Sequence, residues 1–181
     1  MARLPYLDVD DLAPEHQKLL TRKINLNKLL VHSPAAARAH GVLGGHIRFK
    51  SKLDPRLREL AILQVGYSTK SPYEYSHHVK IGREFGCSDD DIRAVALETA
   101  GKPTSLDPLS KAVLRAAREM TNDLALSDST YAELESHMDA ETLVELVVAI
   151  SFYNGVVRLL SALQIDVEDE YKHYLDEFPL P

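Results

Sequence analysis

A glutamate and a histidine four residues apart, Glu74 and His78 in SPYEYSHHVKIGREF, would share one face of a helix. A carboxylate so placed orients an imidazole and favours its protonated form, which suits general acid/base chemistry. A second carboxylate, Glu59, interrupts the apolar run LRELAILQVGY, with Ile62, Leu63 and Gly66 at i+3, i+4 and i+7. A carboxylate there is costly unless it is paired or protonated. Thiol chemistry has little to work with. The chain has one cysteine, Cys87, which can form neither an internal disulfide, nor a CxxC pair, nor a cysteine-based zinc site.

The same residues carry plainer readings, and spacing leaves both open. Glu59 can be an exposed partner of Arg56, one turn earlier. Glu74 can close a capping box with Ser71, and His78 can be a hydrogen-bonded core residue. His40 and His46 are of metal-ligating type, but ordinary helix histidines account for them more simply. No metal and no cofactor is expected. GVLGG follows no strand, so it does not read as a phosphate loop.

Helices must position these groups. Nothing alternates like a strand, while 3.6-residue periodicity recurs along the chain. Ser33-Pro34, Asp54-Pro55, Ser71-Pro72 and Asp107-Pro108 each place a capping side chain before a proline at the first helical position. Ser88 and Asp91 read as a capping box, and Gly86 and Gly101 as helix stops. Helices are expected at about 12–22, 34–49, 55–69, 72–85, 89–99, 108–123, 128–137, 140–165 and 167–176, with a further turn near 25–31. In the helix from Pro72, Tyr75, His78, Ile81, Gly82 and Phe85 share a line, and Glu74 joins it. Ser76, His77, Lys80, Arg83 and Glu84 fall on the other side, so His77 is expected to face outward.

The fold class expected is a single all-α domain over residues 1–181. With 181 residues, 45% of them hydrophobic and 27% charged, the chain can bury a core unaided. A net charge of -6 makes nucleic acid a poor default partner. The basic run Arg48, Lys50, Lys52, Arg56 and Arg58 reads as a solvated face. The apolar segment 143–165 is interrupted by Glu145, Asn154 and Arg158, and MARLPYLDVDDL lacks a signal-peptide stretch. A soluble cytoplasmic protein is therefore expected, with a small-molecule partner, no nucleic acid and no membrane. Asn154 and Arg158, i and i+4 on an apolar helix, suggest a polar link between helices or subunits.

LRELAIL, a short turn, YEYSHHVKIGREFG and then SDDDI together resemble the carboxymuconolactone decarboxylase-like family, which includes AhpD-like proteins. The resemblance is carried by about residues 33–99 and continues, through SFYNGVVRLLSAL, to about 165. It implies an AhpD-like helical fold and association into homo-oligomers. In the family's redox branch a glutamate precedes a CxxC pair, with a histidine four residues after it. Glu59 and His78 match the glutamate and the histidine, but Ser71 and Glu74 stand in the two thiol positions. The resemblance therefore implies a non-redox enzyme, with lyase chemistry on a lactone or carboxylated substrate. His78 would transfer the proton, Glu74 would orient it and Glu59 would act as second acid or relay. Tyr73, Tyr75 and Ser71 would contact substrate, and Arg48 or Arg158 would hold its carboxylate. The alternatives are an AhpD-like hydroperoxide or peroxiredoxin-type activity and a non-catalytic oligomeric binding protein.

Overall fold

The computed structural model describes residues 2–181. Two 3₁₀ turns, Val9–Asp11 and Pro14–Leu20, lead into α1 (Asn25–Leu30) and α2 (Pro34–Phe49). Then come α3 (Pro55–Ser68), α4 (Pro72–Glu84), α5 (Asp89–Thr99), α6 (Pro108–Asn122), α7 (Asp128–Glu135), α8 (Ala140–Leu163) and α9 (Asp169–Glu177). No strand occurs among the described residues. The helix expected at 12–22 forms only as the 3₁₀ turn at 14–20.

Local signals set the helix ends. Asp54 and Asp107 accept hydrogen bonds from the backbone N–H groups of Leu57 and Ser110, and Ser88 and Asp91 form a reciprocal capping box. Gly86 and Gly101 take left-handed conformations, φ 98° and 67°, just past α4 and α5. Ser33 and Ser71 also stand at N-cap positions, but neither side chain caps its helix.

The central element is α3, which packs against α4, α5, α6 and α8. It is buried on every side from Leu57 to Gly66, so its polar residues must find partners inside the protein. Gln64 does so with Ser68, Thr99 and Arg118. The approach of α3 to α4 runs through Gly66, where an added Cβ would lie 3.2 Å from the Tyr75 backbone. The 24-residue α8 is long and apolar enough to cross a membrane by length and composition. Here it packs against α3, α6 and α7, with Leu146, Ile150, Tyr153 and Val157 in the core. The far side of α4 is covered by α9, so α4 is enclosed too.

Candidate functional site

Enclosure of α3 and α4 creates a line of buried charged groups. Glu59, 1% exposed, points from α3 at His78, 4% exposed, on α4. Glu59 Oε2 lies 2.6 Å from His78 Nδ1, and Glu74 Oε1 lies 2.9 Å from His78 Nε2. The other Glu59 oxygen accepts a 2.9 Å bond from Arg58 Nε. Arg58 in turn donates from Nη1 to the Arg48 carbonyl and lies over the Phe85 ring, 4.6 Å from its centroid. The line runs Arg58, Glu59, His78, Glu74.

Its electrostatics follow from burial and pairing. Burial works to raise the Glu59 carboxyl, but His78 and Arg58 outweigh it and hold the group below its usual range. Burial works to lower His78, but the Glu59 and Glu74 charges outweigh it and raise the imidazole above its usual range. Nδ1 is hydrogen-bonded to Glu59 and Nε2 is ion-paired with Glu74, so His78 is an imidazolium between two carboxylates.

Two of the plainer readings, the Glu59–Arg56 pair and the Ser71–Glu74 capping box, do not form. Arg56 pairs with Asp91 at 2.5 Å, leaving Glu59 to Arg58. Ser71 makes no cap, so Glu74 closes no capping box.

At its Glu74 end the line meets a cavity of about 420 Å³, walled by residues of α1, α2, α4 and α8 and of the segment before α1. Glu74, His78 and Tyr73 line it, as do His77, His40, Phe152 and Tyr153. The Tyr153 ring meets His78 edge-on, with centroids 4.9 Å apart. Burial, followed by the Glu74 and Glu59 charges, raises the Tyr153 hydroxyl above its usual range.

The expected site residues divide. Glu59, Glu74 and His78 converge, and Tyr73 shares their cavity. Tyr75 packs instead beside Tyr67 and Gly66, and Ser71 is buried outside the cavity lining. Arg158 is exposed on α8, bonded to Asn154, and also lies outside that lining. Arg48 lines the cavity.

His77 does not face outward. It is 4% exposed, stacked between Tyr73 and Tyr171 at 4.2 and 3.7 Å, and bonded to Glu168 Oε2 at 2.8 Å. The reason is α9: a helix covered on two sides has no solvent face where periodicity would put one. Sequence reasoning missed Arg58 and Tyr153. Arg58 is 2% exposed, although it was read as part of a solvated face. Its signal was its place beside Glu59 in an apolar helix. That of Tyr153 was its i+3 and i−4 relation to Ile150 and Val157 on the apolar side of α8.

Cys87 stands apart from the cavity. Its buried thiol contacts the Arg56 carbonyl at 3.6 Å, and burial pushes it up to about 12.

A sequence model of the Carboxymuconolactone decarboxylase family matches residues 34–119, which contain the whole charged line. The match spans just under half of the chain and supports its likeness to carboxymuconolactone decarboxylase-like and AhpD-like proteins. No curated protein matches it by sequence. Among solved structures, the fold is similar to an alkylhydroperoxidase AhpD core, an uncharacterized peroxidase-related protein from Ralstonia eutropha JMP134. The TM-score is 0.81 at 18% identity, covering 94% of each chain. It is similar too to a cysteine-to-alanine variant of the debrominase Bmp8 in complex with 2,3,4-tribromopyrrole, with a TM-score of 0.83 at 17% identity over 98% of this chain and 100% of that one. A protein of unknown function from Agrobacterium tumefaciens matches with a TM-score of 0.69 at 21% identity, over 77% of this chain and 95% of that one. These likenesses establish the AhpD-like fold.

Proposed function

We propose that this chain is a cytoplasmic acid/base enzyme, a lyase acting on a small lactone or carboxylated substrate, with Glu74 as the group that meets substrate. The observation that carries this reading is the use of both His78 nitrogens. The imidazole is hydrogen-bonded to Glu59 at Nδ1 and ion-paired with Glu74 at Nε2, so Glu74 stands between it and a substrate in the cavity. Glu74 Oε2 makes no hydrogen bond within the described residues, and Glu74 lines the cavity. The proton-transfer role expected of His78 therefore moves one group outward. Glu74 exchanges a proton with substrate, His78 resupplies it, and Glu59, held by Arg58, keeps the imidazole charged and oriented.

In a decarboxylation, the carbon–carboxylate bond breaks and carbon dioxide leaves. The electron pair passes into the conjugated carbonyl as an enolate, the His78 imidazolium passes its proton to the Glu74 carboxylate, and Glu74 delivers a proton to the product carbon. Glu74 is left as the carboxylate, and solvent restores the imidazolium. The Tyr153 hydroxyl, in the same cavity, is placed to hydrogen-bond the enolate oxygen.

The test is turnover of a carboxylated muconolactone in heavy water, following carbon dioxide release and deuterium at the product carbon. Glu74→Gln should abolish both, whereas His78→Gln should slow them. Full turnover by Glu74→Gln overturns the proposal. The thiol alternative has less support, because Cys87 is buried and protonated outside the cavity. Hydroperoxide consumption that disappears in Cys87→Ser would restore it.

A further inference from the structure

The chain is acidic overall, with a net charge of -6, yet its cavity is lined by Lys18, Arg22, Arg38 and Arg48 against a single carboxylate, Glu74. None of these four cations makes an ion pair or side-chain hydrogen bond with the described residues. Other basic groups do: Arg56 pairs with Asp91, Arg83 with Glu177 and Arg115 with Glu133. Two of the four, Arg22 and Arg48, line the cavity and act on each other electrostatically. Arg22 is lowered from its usual value, first by burial at the cavity rim and then by the Arg48 charge. Like charges confined beside an apolar wall without a counterion repel, and an anion between them relieves that repulsion.

The backbone that carries both residues is tied down. The Arg48 carbonyl accepts the Arg58 Nη1 bond, which ties this end of α2 to the charged line. The Arg22 carbonyl accepts from Asn27 Nδ2 at 2.9 Å, and the neighbouring amides of Asn25 and Leu26 bond Glu168 and Tyr73. Arg22 also lies outside residues 34–119, so it is no part of the region that the family model matches.

Another cavity residue points to a ligand. His40 Nε2 is buried without a hydrogen-bond partner, and its ring is 4.8 Å from Phe152, a cavity wall residue. Burial lowers His40 from its usual range, opposed by the Glu74 charge. Phe152 and Tyr153 meet edge to face at 5.3 Å, giving an aromatic wall for a flat body.

We propose that Arg22 and Arg48 form an anion clasp that selects ring-bearing carboxylates, seats the ring against Phe152 with a polar substituent at His40, and turns the reacting carbon toward Glu74. The clasp names the substrate class of the acid/base reading and rests on that reading only for the chemistry after binding.

Calorimetric titration with benzoate and with its neutral isostere benzamide tests it. Benzoate should bind the wild type at least about tenfold more tightly than benzamide. Arg22→Gln and Arg48→Gln should each weaken benzoate about tenfold or more while leaving benzamide unchanged, and Lys102→Gln, an exposed control, should alter neither. Arg48→Lys should retain part of the preference, because charge survives without the planar fork. Equal binding of the two probes, no benzoate binding, or benzoate affinity unchanged in both glutamine variants overturns the clasp. Glu74→Gln separates the two proposals. It should keep benzoate binding, so full turnover in that variant would sink the acid/base reading and leave the clasp standing.

Discussion

Glu59 is held between two cations, Arg58 at 2.9 Å and His78 at 2.6 Å, with all three buried. Neutralising it leaves their positive charges facing each other in a dry interior. Glu59→Gln is therefore expected to cost roughly 3–5 kcal/mol of stability, read as a lower denaturation midpoint. The same pairing makes stability depend on pH. His78 has a raised folded value, so its contribution is fully present below its ordinary 6.5 and fades as pH rises through the raised value. Glu59 has a lowered folded value, so its contribution is present above its ordinary 4.5 and is lost as pH falls through the lowered one. The urea midpoint should thus decline from about pH 6.5 upward in the wild type, and His78→Gln should remove that decline. A wild-type midpoint that rises across this interval would contradict the assignment. At Cys87, burial and protonation predict slow labelling of the native thiol by an aromatic disulfide, accelerating only on unfolding.

At the scale of elements, the decisive contact is between α3 and α4. Gly66→Ala should destabilise by about 1–3 kcal/mol despite alanine's better helix propensity, because the new methyl meets Tyr75 backbone rather than a movable side chain. Turnover would fall with it if the helices part, whereas the Gly66→Ala melting curve isolates the packing loss. Much of this layer was legible in the sequence. The prolines after Asp54 and Asp107 and the Ser88–Asp91 box mark helix starts by local chemistry that no tertiary contact reverses. The convergence of Glu59, Glu74 and His78 was readable because two adjacent helices carry them at fixed spacing. His77 was not, because its burial comes from α9, ninety-one residues further on at Glu168. The same reason hid Tyr153, supplied by α8. Periodicity reports which face of a helix is apolar and says nothing of a polar face buried by a distant partner.

For the molecule as a whole, charge and hydrophobicity are unevenly spread. Cations gather at the cavity while the chain is acidic overall, so association of an anionic substrate is expected to slow with added salt, measurable by stopped flow. Apolar side chains are exposed there and on α8: Val42 and Phe49 of α2, both lining the cavity, are 70% and 72% exposed, and Val144 on α8 is 57% exposed. Together with Leu43 they leave apolar surface open on two elements of one side of the fold that meet each other. We propose that copies of the chain associate through it. Sedimentation should show a homo-oligomer, and Val42→Glu with Phe49→Glu should shift it to monomer without lowering the melting temperature of the isolated chain. A monomeric wild type would refute this.

Glu168 accepts from the Asn25 amide and the Tyr73 hydroxyl through one oxygen and bonds His77 through the other. Asn25 and Glu168 are 143 residues apart. On a ribosome adding about 5–20 residues per second, the first waits on the order of ten seconds for the second to be made. For that interval α3 and α4 can already be paired while the segment bearing Arg22 hangs open and the stacked face of His77 is bare. The wall of the cavity is thus a late event in the life of each molecule, and a nascent chain stalled before Glu168 would have its acid/base line in place before the segment bearing Arg22 is tied down beside it.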